Sequence, residues 1–181
     1  MNALVGNVFF DTCTLWNFAV VRRLDLLETR YGWRARWTEA VQYEVQQGYN
    51  YGEAALRGVL DATWLGEPVQ VDDNPKALRA IELIRRALGG SNDEPLKHLG
   101  EAEIFYHLET REPTGILITD DGPALDFAKN RRIAAINTSQ ILAECYSQDE
   151  IGCPAAYDLI VEMDSLDRGV KVPSSHMMVC P

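Results

Sequence analysis

Gly115-Ile116-Leu117-Ile118-Thr119 carries no charge and stops abruptly on Asp120-Asp121-Gly122-Pro123. A short apolar run bounded by turn residues reads as a strand buried on both faces, the habit of parallel sheets. Pro123 then opens a helix from Ala124 to about Asn130, because its fixed φ suits the first helical turn. The succession also occurs at the N-terminus, where Val8-Phe9-Phe10 ends on Asp11 and a helical pattern follows from Thr14 to Ala19. Ile133 to Ile136 reads as a further buried strand, ending in Asn137-Thr138-Ser139 before a helix that carries Ile141, Leu142 and Cys145. Strands that alternate with helices predict an α/β fold of three α/β/α layers around a central, mostly parallel sheet.

With 181 residues, the chain suits one domain with a real core. We place that domain at 1–172 and read 173–181 as a loosely held tail. Asn2, Asn7 and Asp11 interrupt any apolar leader, so no signal peptide is expected. No run approaches the roughly 20 apolar residues of a membrane helix. The four cysteines (13, 145, 153 and 180) form no Cys-x-x-Cys, which suggests neither zinc nor a disulfide framework, and a cytoplasmic protein with reduced thiols.

Between these strands, Leu24 to Tyr31 continues with helical spacing and Gly32 ends it. Trp33 to Trp37 alternates apolar and basic residues, the period of a strand with one wet face. Thr38 caps a helix from Glu39 to Gln47 that Gly48 stops, and 53–62 reads as another short helix. Strand character is expected around Trp64–Leu65 and Val69–Val71, broken by Pro68. Asn74 and Pro75 open a helix running to Gly89–Gly90, and Gly89 to Pro95 is a loop suited to a mobile edge of a site. A helix from about His98 to Glu109 follows, and Pro154 opens the last one. The pairs Arg22–Arg23, Arg34 with Arg36, Arg85–Arg86 and Arg131–Arg132 read as solvated faces.

Five acids stand out. Asp11 reads two ways, as a helix cap or as a ligand at the carboxyl end of a strand, where open α/β sheets bind. At about 100° per residue, Glu44 shares a face with Ala40, Val41 and Val45, while Glu101 lies with Ile104, Phe105 and Leu108. Glu103 sits about 200° from Glu101, nearer His107. A carboxylate on an apolar face needs a partner or a cation. The Asp120–Asp121 pair repeats the geometry of Asp11. A net charge of −10 is wrong for a passive nucleic-acid binder but suits an enzyme that gathers carboxylates around Mg²⁺ or Mn²⁺, hard cations that favour oxygen. Such ions can support in-line displacement at a phosphodiester.

In this order, Asp11-Thr12-Cys13-Thr14-Leu15, Glu44 within Trp37-Thr-Glu-Ala-Val-Gln-Tyr-Glu-Val45, Leu99-Gly-Glu-Ala-Glu103, Ile118-Thr-Asp-Asp121 and Asn137-Thr138 resemble the motifs of the PIN-domain family. That is the fold of VapC-type toxins and related ribonucleases, and the resemblance spans about 1–145. It implies Mg²⁺- or Mn²⁺-dependent cleavage of single-stranded RNA. Asp11, Glu44, Glu101, Asp120 and Asp121 would be the catalytic acids, with Asp11, Glu101, Asp120 and Asp121 as metal ligands. Thr12 and Thr138 would be polar supports. The partners implied are single-stranded RNA, an antitoxin protein and a second copy of the chain, with no membrane. Cys13 stands where many members carry Ser or Asn, and Glu101 where many carry Asp. Spacing does not say whether Asp120 or Asp121 faces the metal. The alternative is a non-catalytic PIN-fold module that binds RNA or protein. A haloacid-dehalogenase-type phosphatase needs an acid two residues after its nucleophile, and Cys13 occupies that place.

Overall fold

The computed structural model describes residues 6–181; the reading of positions 1–5 lies outside the described residues. Four strands, β1 (Val8–Phe10), β2 (Ala35–Arg36), β3 (Ile116–Ile118) and β4 (Ala134–Ile136), form one sheet in the order β2-β1-β3-β4. Every pairing is parallel, with Phe9 opposite Arg36 on one side and Leu117 on the other, and Leu117 opposite Ala135. Nine helices flank this sheet among the described residues: α1 (Thr12–Val20), α2 (Leu24–Tyr31), α3 (Glu39–Asn50), α4 (Arg57–Leu60), α5 (Pro75–Ala87), α6 (Leu99–Thr110), α7 (Gly122–Arg131), α8 (Thr138–Ser147) and α9 (Ala155–Ser165). The chain therefore has the expected α/β architecture, a three-layer α/β/α fold.

The two central strands are sealed on both faces, as uncharged sequence requires: Val8, Phe9, Phe10, Leu117 and Ile118 are all buried. Leu15 and Phe18 of α1, Leu27 and Tyr31 of α2, Ile104 and Phe105 of α6 and Ile141 of α8 complete the same core. Each such side chain contributes about 1.5–3 kcal/mol by leaving water. Polar links tie the layers, since the Tyr31 hydroxyl donates to Glu144 at 2.7 Å and Arg30 pairs with both Glu144 and Glu150.

Several local expectations are corrected. β4 is an edge strand with Ala134 exposed and Ile136 half-buried, not a buried one. Gly32–Arg34 and Thr63–Leu65 are single 3₁₀ turns rather than strand. The indole of Trp37 donates to the carbonyl of Gly66, and only an isolated parallel bridge, Thr38 to Val69, extends the sheet edge there. Gly48 does not stop α3, which runs on to Asn50. That glycine makes room instead: a Cβ there would fall 2.6 Å from a Leu56 methyl and 3.7 Å from the Trp16 ring.

The C-terminal segment is docked. Val179 and Cys180 are buried, Tyr157 donates to the carbonyl of Pro173 at 3.1 Å, and Cys153 is joined to Cys180 by a disulfide. The expectation of four reduced thiols is thereby corrected, because chain return after α9 brings together two cysteines that sequence leaves 27 residues apart. Cys13 and Cys145 are free. No helix among the described residues is long and apolar enough to cross a membrane.

Candidate functional site

Asp11 leaves β1 in an extended conformation and caps α1, taking the backbone N–H of Thr14 on Oδ1 at 2.8 Å. Its other oxygen accepts from the hydroxyl of Thr119 and from the Cys13 thiol. Capping and a place in the site are therefore compatible: Asp11 is only 2% exposed, yet its edge lines a cleft of about 260 Å³. The cleft opens beyond the carboxyl ends of β1 and β3. Thr12, Cys13 and Trp16 of α1, Glu44 of α3, Gly100 and Glu101 of α6, Asp121 before α7 and Arg168 after α9 complete its wall.

Four of the five acids expected from sequence thus converge: Asp11, Glu44, Glu101 and Asp121. Asp120 does not line the cleft. It turns the other way and accepts from Asn17 Nδ2 at 2.8 Å, from the backbone N–H of Thr138 at 3.0 Å, and from the Thr138 hydroxyl. Asp120 and Thr138 therefore tie β3 to the start of α8. Adjacent residues of extended chain point to opposite sides, which is why spacing could not separate Asp120 from Asp121. Thr12 does act as a support, donating its hydroxyl to Glu44 Oε2. Glu103 belongs to the scaffold, where it takes the first-turn N–H of Ala40 at 3.0 Å.

The electrostatics of the cleft are unfavourable for four bare carboxylates. Burial, and next the nearby Glu101, push the Asp11 carboxyl up to about 7 despite three hydrogen bonds that favour its anion. Burial likewise carries Glu44 up to about 7, opposed by the Thr12 hydroxyl and by the backbone N–H of Gly100, and reinforced by Glu101 and Asp11. Gly100 lets the two helices approach closely: a Cβ would meet a Val41 methyl at 3.0 Å and both Glu44 oxygens at 3.4 Å. The Cys13 thiol is driven well above its ordinary value by burial beside Asp11, so it stands there as a neutral donor.

Two residues of this region were not singled out in the sequence. His98 adopts a left-handed conformation (φ 60°) just before α6, with Nδ1 3.4 Å from Glu101. Ligand atoms of His98, Glu101 and Asp121 all lie within 4.8 Å of one another, a spacing that could hold one metal ion. No sequence pattern marks His98, since its left-handed backbone shows only in the folded chain. Arg168 lies far along the chain, and nothing near it in sequence marks it. The Gly89–Pro95 loop is tethered rather than free. Arg85, expected on a solvated face, is 4% exposed and reaches the carbonyls of Ser91 and Glu94 at 3.1 Å.

The donor set fits a divalent cation. It offers carboxylate oxygens and one imidazole, with no thiolate free to ionise, and its carboxylates are the ligand type that hard cations take. Comparison with protein families, with curated proteins and with solved structures finds no match.

Proposed function

We propose that the chain is a metal-dependent endoribonuclease of the PIN type, hydrolysing phosphodiester bonds of single-stranded RNA. The observation that carries the reading is the convergence of Asp11, Glu44, Glu101 and Asp121, from four separate segments, on one cleft at the carboxyl ends of two parallel strands. Glu101 and Asp121 would hold the ion, with His98 beside them and Asp11 and Glu44 closing the site. When bound, Mg²⁺ or Mn²⁺ would supply Lewis-acid polarisation of a phosphoryl oxygen and a lower pKa for water.

The chain's own residues set the remaining chemistry. Thr12 and the N–H of Gly100 hold the Glu44 carboxylate, and its pKa near 7 suits it to exchange a proton near neutral pH. Thr119 and Thr14 fix the Asp11 carboxylate against rotation. A toxin paired with an antitoxin protein, acting in the cytoplasm as a monomer or homodimer, is the biological setting this reading implies.

The test is a Mg²⁺ and Mn²⁺ titration with single-stranded RNA, comparing the wild type with Asp11→Asn. Loss of cleavage in the variant supports the reading, and equal cleavage by both overturns it. The second reading is a non-catalytic module of the same fold. It is favoured by the saturation of Asp11, whose two oxygens already accept three protein donors. Calorimetry with Mn²⁺ separates the two, because the module would bind no ion.

A further inference from the structure

We propose that Arg168, held over the Trp16 ring, is the phosphate-binding residue of the acidic cleft, donating its guanidinium fork to a non-bridging oxygen of the scissile phosphodiester. The inference rests on the ribonuclease reading for its substrate and on separate observations for its residue.

Among the described residues, Arg168 is the one cation that lines the cleft. Seven other arginines of this acidic protein pair with carboxylates: Arg23 with Asp25, Arg30 with Glu144, Arg57 with Asp61, Arg85 and Arg86 with Glu82, Arg111 with Asp72 and Arg131 with Glu109. Arg168 shares with Arg22, Arg34, Arg36, Arg79 and Arg132 the lack of a carboxylate partner among the described residues, and it alone of these lines the cleft. Its charged neighbours are Glu53 and Asp167, with the neutral Cys13 thiol beside them, and its Nε is buried without an acceptor among the described residues. Buried donors are ordinarily satisfied. Trp16 Nε1, on the partner ring, is likewise buried and unpaired. Arg168 and Trp16 thus bring two donors that find no partner among the described residues to the wall of one cleft.

A contact with the Trp16 ring positions the guanidinium. Its central carbon lies 3.9 Å from the centre of the Trp16 ring, well within the range of a cation–π contact. Arg168 also sits between two left-handed residues, Asp167 (φ 56°) and Gly169 (φ 68°), and its N–H returns to the carbonyl of Met163. The turn after α9 thus projects the side chain back over α1. Guanidinium is planar, always charged and matched to the oxygens of phosphate. A dication would take the carboxylates, leaving Arg168 to an anion, and phosphodiester oxygens are the anions an endoribonuclease meets.

A counter-ion role for Arg168, neutralising the cleft without touching substrate, makes a different prediction. The test uses wild type, Arg168→Met, Arg168→Lys and, as a remote control, Arg86→Met. Binding of a fluorescein-labelled, uncleavable 2′-O-methyl oligonucleotide is followed by anisotropy in Mn²⁺ across a salt series, beside cleavage of the all-RNA equivalent. Arg168→Met is expected to weaken binding about ten- to a hundredfold and to lower the salt slope by about one. Arg168→Lys should recover part of the affinity, and Arg86→Met should behave as wild type. Wild-type binding by Arg168→Met, with thermal melting showing it folded, overturns the proposal in favour of the counter-ion role. If Arg168→Met does not fold, Arg168→Lys decides through the loss of the fork, and unchanged affinity and cleavage there overturn it. Should wild type bind through Arg168 but fail to cleave, the ribonuclease reading falls and the anion site stands. Should wild type neither bind nor cleave, both fall.

Discussion

Thr119 donates its hydroxyl to Asp11 and accepts the backbone N–H of Asp121 at 3.0 Å, so one buried threonine at the end of β3 couples the acids of two neighbouring strands. Thr119→Val removes both links while keeping the shape. We expect a loss of about 1–3 kcal/mol in urea denaturation together with weaker Mn²⁺ binding, and recovery of both in Thr119→Ser. A valine variant as stable as wild type would show that the coupling carries no weight.

Asp120 and Asp121 should respond oppositely to the same change. Asp121 caps α7 by accepting from Ala124 at 2.7 Å, a task asparagine performs as well. Asp121→Asn is therefore expected to melt near the wild-type temperature yet lose metal affinity. Asp120→Asn brings an amide nitrogen up against Asn17 and Thr138 donors, which should cost about 1–3 kcal/mol. Parallel calorimetry and melting of the two variants checks the division.

The cleft makes the metal-free protein less stable as pH rises. Asp11 and Glu44 have folded values near 7, above their ordinary 3.8 and 4.5, so between about 4 and 7 the folded state holds protons that the unfolded state has released. Their contribution is complete below pH 4 and lost as pH climbs through 7. Glu82, lowered to about 2 by Arg85 and Arg86, acts in the opposite sense but only below its ordinary value of 4.5, and His107, lowered below 6.5 by burial, opposes the two carboxyls within the window as one group against two. In EDTA the melting temperature should be higher at pH 5.5 than at pH 8. A higher value at pH 8 contradicts the crowded-carboxylate account.

Metal should reverse that slope. Protons and cations compete for the same oxygens, so Mn²⁺ should raise the melting temperature more at pH 8 than at pH 5.5. At 100 times its Kd, the ion contributes about 2.7 kcal/mol, roughly 5–10 °C for a chain of this size. Equal shifts at both pH values would place the ion elsewhere.

Gly100→Ala tests how tightly α6 must approach α3. The added methyl meets Glu44 oxygens and Val41 at contact distance, while alanine favours the helix by about 1 kcal/mol. Stability should change little, and Mn²⁺ affinity should fall as Glu44 is displaced. Unchanged affinity, measured by calorimetry, would show that Glu44 has room to adjust.

The sheet and its order of elements were legible because the central strands are uncharged and the helices carry their own caps, Asp11, Thr38, Asn74 and Asn137. Glu44 and Glu101 were legible because an acid on an apolar stripe contradicts its surroundings. The two 3₁₀ turns were not, since Trp37 and Val69 decide that region through contacts made across the chain. The burial of Arg85 and the disulfide escaped for the same reason. Arg168 escaped more completely: its place in the cleft wall over Trp16 is set by a contact across most of the chain, which no pattern of neighbours in sequence records.

Chain order gives the cleft a timetable. Synthesis delivers Asp11 and Glu44 early, Glu101 and Asp121 midway, and Arg168 only after α9 has been made. Any product cut short before that turn carries the carboxylates without their single positive charge and repels a polyanion. On the phosphate-binding proposal, the cleft becomes able to receive a polyanion only once the segment joined by Cys153 and Cys180 has been made, because that segment carries Arg168 to Trp16.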